Sequence, residues 1–301
     1  MQRAITLIAV AALLSACSQQ EAAKTDSSKV AQAGTPGSAS SASSAASAAS
    51  FDPTTHVAVV HAKDFAFDAP DTVTAGWTQF HLVNDGPNLH HVQLVRLDSG
   101  KTAQDLGAAL KNPGPPPRWA VFVGGPNAPS PGTESDATVD LRPGNYVVMC
   151  MVDIPDHVPH FAKGMIRPLT VVAGKAAPAE EPTADATVTL SDYKFDVQGD
   201  LTAGKHTIKV QDAGPQPHEM EIVRLAPGKT LKDLAAWMNA PNGPPPGDAL
   251  GGVDALVPGV SPAYAMINFT PGHYALLCFV PDMKDGKPHV DHGMVKEFEV
   301  K

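Results

Sequence analysis

The stretch TPGHYALLCFVPDMKDGKPHVDHGM, residues 270–294, decides the fold because the chain contains a second version of it. Residues 142–165, RPGNYVVMCMVDIPDHVPHFAKGM, match it at both ends, and the later copy carries one extra residue in between. Upstream, residues 84–110 match 212–238 at a spacing of 128 residues. A repeat of this length predicts two copies of one structural unit, repeat 1 and repeat 2.

Each repeat is predicted to be mostly β. The chain is 43% hydrophobic and rich in turn residues, with Gly 25 and Pro 29 among its 301 residues. Short segments such as HVQLVRL and RPLTVV are rich in β-branched residues and are separated by turn signals. The predicted fold class is all-β, with two tandem Greek-key β-sandwich domains. Apolar residues at helical spacing predict one short helical insertion in each domain, at 101–112 and 229–240.

The domain boundaries follow from the repeats and from two stretches of biased composition. The predicted domains span 52–173 and 185–301. Residues 174–184 have the Ala/Pro/Glu composition of an interdomain linker. Residues 17–51 are rich in Ser and Ala and bury too little apolar surface to fold, so they are predicted to form a disordered tether.

The N-terminus predicts a cellular location. Residues 1–16 combine one positive charge with a short apolar run, as a signal peptide does. The small residues ahead of Cys17 resemble a bacterial lipobox, which implies lipidation of that cysteine, and Ser18 resembles the outer-membrane sorting pattern. We therefore expect a lipid-anchored protein of the bacterial cell envelope that faces the periplasm, at the outer rather than the inner membrane. The alternative is cleavage after Ala16, which leaves Cys17 as a free thiol.

The charge and the motifs exclude several other functions. The formal net charge is -9, so the surface offers no basic patch for nucleic acid. Contact with a membrane is expected through the lipid anchor. The sequence contains no Ser-His-Asp order, Gly-rich phosphate loop or paired-carboxylate motif.

Comparison of the repeats separates the metal-type residues that are kept from those that are not. His91 aligns with Glu219 and His292 aligns with Lys163, so neither histidine is kept. The kept set has the same composition in each repeat, with two histidines, one cysteine and one methionine. It consists of His90, Cys150, His160 and Met165 in repeat 1, and of His218, Cys278, His289 and Met294 in repeat 2.

Two imidazoles, a thiolate and a thioether make a mixed set of borderline and soft ligands. Such a set suits copper in both oxidation states, and two His with one Cys and a weak axial Met is the blue-copper pattern. The first histidine follows a Gly-Pro turn, whereas the other three ligands share one loop after a strand. We therefore expect one copper ion in each repeat and two per chain.

At these residues both repeats resemble the cupredoxins, the family of plastocyanin and azurin. The resemblance lies in NDGPNLHH and DAGPQPHE around the first ligand, PGNYVVMC and PGHYALLC before the cysteine, and HFAKGM and HVDHGM after it. It covers nearly all of 52–301. It implies a type 1 copper site in each repeat and electron transfer with a redox partner protein in the cell envelope. A copper storage, sensing or delivery protein is the alternative.

The loop between the cysteine and the second histidine leaves one ligand open in each repeat. Nine residues separate them in repeat 1 and ten in repeat 2, which resembles the longer ligand loop of copper nitrite reductases. His157 is the alternative to His160, and His292 is the alternative to His289. For the two cysteines, an inert buried thiol or an interdomain disulfide are the alternatives.

The same family includes enzymes, which need a further copper held by histidines. One of those histidines directly precedes the blue-copper cysteine, whereas Met149 and Leu277 hold that place here, and the chain has no His-x-His pair. The sequence therefore predicts a protein that is not an enzyme and has no catalytic residue. A copper oxidase or nitrite reductase is the least favoured alternative.

Overall fold

The computed structural model describes residues 49–111, 114–153, 156, 158–174 and 179–301. Within these ranges the chain is mostly β, which confirms the predicted class. The predicted signal peptide, Cys17, nearly all of the tether, part of the linker and His157 lie outside the described residues.

The described strands are short and follow one another closely. Those of repeat 1 are β1 (Ser50–Asp52), β2 (Val57–Lys63), β3 (Ala66–Asp68), β4 (Thr72–Thr74), β5 (Gly76–Asn84), β6 (Gln93–Leu97), β7 (Ala120–Phe122), β8 (Glu134–Leu141), β9 (Gly144–Met149) and β10 (Ile166–Val172). Those of repeat 2 are β11 (Ala186–Ser191), β12 (Lys194–Gln198), β13 (Gly204–Asp212), β14 (His218–Leu225), β15 (Gly247–Leu256), β16 (Ala263–Phe269), β17 (Gly272–Leu277) and β18 (Val295–Val300).

The two repeats share one sheet. It runs β1-β2-β5-β8 in repeat 1 and continues as β16-β13-β11-β12 in repeat 2, and β3 pairs with β2. The join is the antiparallel pair of β8 and β16, in which Val139 faces Ala263 and Asp136 faces Met266. Repeat 1 adds a five-stranded sheet, β4-β10-β9-β6-β7, and repeat 2 adds a four-stranded sheet, β15-β14-β17-β18.

A hydrophobic core cluster also passes through both repeats. It includes Val60 and Leu94 from repeat 1, and Val210 and Leu276 from repeat 2. Residues Ala46–Lys301 accordingly form one compact unit. The sequence does not predict this shared sheet and core, because strands that lie 128 residues apart leave no local signal of their pairing. The predicted boundary between the two domains stays a prediction.

Both predicted helical insertions are confirmed. They are α1 (Ala103–Ala109) and α2 (Leu231–Asn239). At the start of α1 the Thr102 side chain accepts from Asp105 N while the Asp105 carboxylate accepts from Thr102 N, which forms a capping box, and α2 begins with the same box. No helix among the described residues is long and apolar enough to span a membrane.

The repeated Pro-Gly-x-Tyr motif anchors the strand that leads to each cysteine. Tyr146 Oη donates to Arg142 O at 3.0 Å and accepts from Arg142 N at 3.1 Å. Tyr274 Oη does the same with Thr270, at 2.7 Å to the carbonyl and 3.1 Å from the amide. Because both tyrosines are buried, this turn fixes where β9 and β17 begin, and hence where the cysteines at their ends lie.

Candidate metal centre

Each candidate cysteine lies at the end of a central strand. Cys150 directly follows β9, which lies between β10 and β6, and Cys278 directly follows β17, which lies between β14 and β18. Both side chains are fully buried, and neither forms a disulfide. A sheet centre offers a rigid position for a ligand, because the backbone is held on both sides.

The loop after Cys150 folds back onto it through backbone hydrogen bonds. Phe161 N donates to Cys150 O at 2.8 Å, and His160 N donates to Val152 O at 2.8 Å. Met165 N then donates to His160 O at 3.0 Å. These bonds bring the second histidine and the methionine back to the cysteine.

The loop of repeat 2 closes in the same way in spite of its extra residue. Val290 N donates to Cys278 O at 2.8 Å, and Met294 N donates to His289 O at 3.0 Å. The longer segment is accommodated in a turn in which Gly286 N donates to the carbonyl of Asp282 at 2.8 Å. The added residue therefore changes the outer part of the loop and leaves the ligand positions in register.

In repeat 1, three of the four predicted ligands converge on one buried point. His90 Nδ1 lies 3.1 Å from His160 Nδ1, which lies 3.5 Å from Cys150 Sγ. All three side chains are fully buried, and their donor atoms lie within 4.8 Å of one another. Donors bound about 2.0–2.3 Å from one ion stand roughly 3–4 Å apart, so this trio fits a single metal ion. Met165 is also fully buried and belongs to the adjoining core.

Burial sets the protonation states of these donors. It lowers the pKa of His90, which keeps the imidazole neutral, and it raises the pKa of Cys150 to about 12. In repeat 2, burial raises the pKa of Cys278 well above its usual range, and burial together with the neighbouring His218 lowers the pKa of His289 to about 4. The imidazoles of His90 and His289 are thus ready to bind a metal, whereas each thiol would release a proton on binding one.

A carboxylate contacts the first candidate ligand of repeat 1. His90 Nε2 lies 2.6 Å from Asp64 Oδ1, and Asn88 Nδ2 donates to Asp64 Oδ2 at 2.6 Å. Metal-binding histidines commonly donate their second ring nitrogen to such a group, which fixes the tautomer and leaves the other nitrogen to the metal. Gly86 leaves room for the ring, since a Cβ there would lie 2.6 Å from His90 Nε2.

Repeat 2 differs in the orientation of its first histidine. His289 Nδ1 lies 3.3 Å from Cys278 Sγ, and the rings of His218 and His289 are 4.7 Å apart. However, His218 Nδ1 lies 3.0 Å from Asp212 Oδ1, and its Nε2 lies 3.3 Å from Asp192 Oδ1. Both nitrogens therefore face carboxylates. A half-turn of the ring about Cβ–Cγ exchanges Nδ1 with Cδ2 and frees Nδ1 from Asp212.

Of the two alternative loop histidines, His292 and His157, the structure describes only His292. His292 Nε2 lies 3.2 Å from Asp285 Oδ1 and its side chain is 28% exposed, whereas His289 is fully buried beside Cys278. The structure thus brings His289, and not His292, to the cysteine. The other alternative, His157, lies outside the described residues.

A further group of metal-type donors lies in the outer loop of repeat 2, formed by Asp282, Asp285 and His292. Asp282 is buried, and its carboxylate already accepts from Tyr193 Oη at 2.5 Å and from Gln216 Nε2 at 2.9 Å. These bonds lower the pKa of Asp282. The group therefore serves to hold the longer loop against the rest of repeat 2.

Sequence reasoning missed the acidic partners of the first histidines. Asp64 and Asp192 occupy equivalent places, and comparing HAKDFAF with TLSDYKF at the same spacing of 128 would have found them. It also set His91 aside. Met151 N donates to His91 Nε2 at 3.0 Å, and His91 Nδ1 pairs with Asp254 of repeat 2. His91 thus joins the residue after a candidate cysteine to the interface between the repeats.

The chain matches no protein-family model and no curated protein. Among solved structures it is similar to a dithionite-reduced auracyanin from the photosynthetic bacterium Roseiflexus castenholzii, with 19% identity and a TM-score of 0.28 over 38% of this chain and 95% of that one. It is also similar to a multicopper oxidase, with 14% identity and a TM-score of 0.25 over 81% of this chain and 88% of that one. A copper nitrite reductase from Nitrosomonas europaea is similar too, with 15% identity and a TM-score of 0.24 over 81% of this chain and 93% of that one. Similarity at this level supports no conclusion about what this chain binds.

Copper enzymes among these structures contradict the prediction that the chain is not an enzyme, and that prediction is withdrawn. It depended on two local patterns, the residue before each cysteine and the His-x-His pair. Residues far apart in the sequence can also bring metal-type donors together, as the 3.1 Å approach of His90 Nδ1 and His160 Nδ1 shows. The lack of a local pattern is therefore no ground for excluding catalysis.

Proposed function

We propose that the chain is a two-copper electron carrier of the bacterial cell envelope, built from two cupredoxin-like Greek-key sandwiches. The observation that carries the proposal is the convergence of His90 Nδ1, His160 Nδ1 and Cys150 Sγ at one buried point. Repeat 2 has the same donor types on the same elements. The proposed copper ligands are His90, Cys150, His160 and Met165, and His218, Cys278, His289 and Met294.

Copper held by such donors supplies a one-electron change between Cu(II) and Cu(I). The residues contribute a frame that moves little. Each cysteine is fixed by a central strand, and Met165 N and Met294 N donate to the carbonyls of His160 and His289. Donors held in this way need little rearrangement when the charge of the metal changes, which favours electron transfer.

A redox partner protein is part of the proposal. Val158 and Met283 are apolar residues on the two ligand loops, and they are 40% and 48% exposed. Apolar side chains exposed on the loops that carry the candidate ligands favour contact with a partner at this part of the surface.

Copper storage or delivery is the competing function, and Met294→Gln separates the two. A weak axial methionine tunes the potential, so in a carrier this substitution shifts the potential of repeat 2 while copper stays bound. A storage site prefers Cu(I), and the same substitution there chiefly weakens Cu(I) affinity. Met238→Gln, on an exposed face of α2, is the matched control.

The measurement is voltammetry together with Cu(I) competition on the copper-loaded wild type and both variants. A carrier gives a reversible wave that Met294→Gln shifts and Met238→Gln leaves in place. The absence of a reversible wave, combined with lost Cu(I) affinity in Met294→Gln, contradicts electron transfer and supports storage.

We also propose that a lipid on Cys17 anchors the chain to the outer membrane, facing the periplasm. This rests on the lipobox-like residues before Cys17 and on Ser18 after it. Cys17→Ser is expected to move the protein from the membrane fraction to the soluble fraction, because the lipid is the proposed anchor. Membrane association that persists in this variant would show that another part of the chain binds the membrane.

A further inference from the structure

Three buried positions around the candidate sites differ in charge between the repeats. Each pair is spaced by 128 residues, and the residue is uncharged or a histidine in repeat 1 and an acid in repeat 2. All of these side chains are buried. The positions are Asn84, His91 and Gln93 in repeat 1, and Asp212, Glu219 and Glu221 in repeat 2.

Two of the acids in repeat 2 contact the proposed ligands or their backbone. Asp212 Oδ1 lies 3.0 Å from His218 Nδ1. Glu219 Oε1 accepts from Phe279 N at 2.6 Å, on the residue that follows Cys278. The backbone N of Glu219 also donates to Cys278 Sγ at 3.5 Å. Carboxyl groups therefore lie beside both a proposed histidine ligand and the proposed cysteine ligand.

The equivalent groups of repeat 1 offer no carboxylate, and only His91 makes the corresponding contact. Asn84 Nδ2 donates to the carbonyls of Asn88 and Pro129, both at 2.9 Å. Met151 N, the counterpart of Phe279 N, donates to the ring nitrogen Nε2 of His91 at 3.0 Å. The same backbone position thus meets an imidazole in one repeat and a carboxylate in the other.

One acid reaches repeat 1 from across the interface. Asp254 of repeat 2 pairs with His91 Nδ1. Since Met151 N–H occupies the lone pair of Nε2, Nδ1 is the ring nitrogen that carries the proton, and it faces the carboxylate of Asp254. The site of repeat 1 therefore faces one acid from across the interface, Asp254, through His91. Repeat 2 has an acid of its own at all three of the compared positions.

A buried negative charge stabilises the oxidised site, because Cu(II) carries one more positive charge than Cu(I), and low-dielectric surroundings strengthen the effect. We propose that the repeat 2 site has the lower reduction potential and passes its electron to the repeat 1 site, an inference that rests on the proposed copper sites. In that step one electron leaves Cu(I) of repeat 2 and reduces Cu(II) of repeat 1. No proton or further reactant is required.

The three acids do not contribute equally. The Glu219 carboxylate accepts from Phe279 N at 2.6 Å and from Asn127 Nδ2 at 3.1 Å, so it reaches the backbone after Cys278 rather than a ligand ring. The carboxylate of Asp212 accepts from Gly214 N at 2.8 Å and directly faces the ring of His218. Asp212 is therefore the position at which the effect of charge is tested.

Bonded groups join the two sites across the interface. His91 accepts from the amide that follows the cysteine of repeat 1 and is covalently followed by Val92, whose N donates to Pro126 O at 3.0 Å. The next residue, Asn127, donates from Nδ2 to Glu219 Oε2 at 3.1 Å. Glu219 N then donates to the thiol of repeat 2. Covalent and hydrogen bonds thus connect Cys150 with Cys278, the two proposed thiolate ligands, without a break.

The test is a spectroelectrochemical titration of the copper-loaded full chain. Cys150→Ser leaves only the repeat 2 site and Cys278→Ser leaves only the repeat 1 site, which assigns the two potentials. Asp212→Asn is made in the first background and the reciprocal Asn84→Asp in the second. We expect Asp212→Asn to raise the Cu(I)/Cu(II) ratio of repeat 2 at fixed potential about tenfold, about 59 mV for one electron.

Asn84→Asp should lower the reduction potential of the repeat 1 site. In the wild type, we expect two couples, of which the repeat 2 site has the lower reduction potential. Equal potentials, a higher potential in repeat 2, or no shift with Asp212→Asn would overturn this inference while leaving the copper sites in place. If no variant shows a reversible copper couple, the proposed function itself fails. Asn84 is itself buried and hydrogen-bonded, so Asn84→Asp can misfold. In that case the shift measured for Asp212→Asn alone tests the inference.

Discussion

The two ligand loops share a backbone frame but differ in their charged surroundings. Cys150 and Cys278 both accept a backbone hydrogen bond at 2.8 Å from the residue after the loop histidine, although one loop is longer. In contrast, Asn84 Nδ2 donates to two backbone carbonyls, whereas the carboxylate of Asp212 faces His218. The two copies therefore share the backbone geometry of the loop, whereas the charged groups around it differ.

The residues that diverged include those that meet across the interface. His91 pairs with Asp254, and Asn127 Nδ2 donates to Glu219 at 3.1 Å. His91 and Glu219 hold equivalent places in the two repeats, and so do Asn127 and Asp254 in the GGPNAP and GGVDAL segments. The interface therefore has two related contacts of different chemistry, one with an acid and a histidine and one with an acid and an amide.

The largest expected difference between these contacts is in folding stability. Asp254→Ala leaves His91 buried without its acid and is expected to cost about 3–5 kcal/mol of unfolding free energy. Asn127→Ala removes one donor from Glu219 and is expected to cost about 1–3 kcal/mol.

Urea unfolding of the metal-free full chain measures the unfolding free energy of both variants. Asp200→Ala, at an exposed position, is the control and should change stability by less than about 0.5 kcal/mol. Equal losses of unfolding free energy in Asp254→Ala and Asn127→Ala would contradict the expected difference between the two contacts.

A smaller difference is expected in copper affinity. Asp64→Asn weakens the carboxylate that orients His90 and is expected to lower the affinity of repeat 1 roughly 10–100-fold. Asp192→Asn should lower the affinity of repeat 2 less, because Asp192 lies 3.3 Å from His218 Nε2, compared with 2.6 Å for Asp64 and His90.

Chelator competition measures these affinities in chains in which the cysteine of the other repeat is replaced by Ser. Asp68→Asn, at an exposed position near Asp64, is the control and should leave affinity unchanged. A larger loss from Asp192→Asn than from Asp64→Asn would contradict the assignment of orienting carboxylates.

The smallest effects are expected at the helix caps, where the repeats agree. Thr102→Ala and Thr230→Ala each remove a side chain that accepts a backbone N–H, and each is expected to cost about 1 kcal/mol of unfolding free energy. Thr→Ser at the same positions keeps the acceptor and should cost less. Thermal and urea unfolding of the four variants check this, and a clear inequality between Thr102→Ala and Thr230→Ala would show that the two insertions do not contribute alike.

Local patterns in the sequence predicted local structure well. The helices, the Pro-Gly-x-Tyr strands and the buried donors His90, Cys150 and His160 each carry a short motif that the repeat duplicates. The pairing of β8 with β16 carries no such motif, since its hydrogen bonds are made by backbone groups that every residue has. Residues that differ between the repeats carry no duplicated motif, as at Asp212, whose carboxylate faces His218.

The most direct test of the account is the number of coppers bound by four chains. Wild type, Cys150→Ser, Cys278→Ser and the double variant are loaded with Cu(II), and copper per chain is measured together with the thiolate-to-copper absorption. We expect two, one, one and no tightly bound coppers, with the absorption falling by about half in each single variant, since each site has one thiolate. A wild type that binds one copper, or single variants that lose both, would contradict a separate site in each repeat.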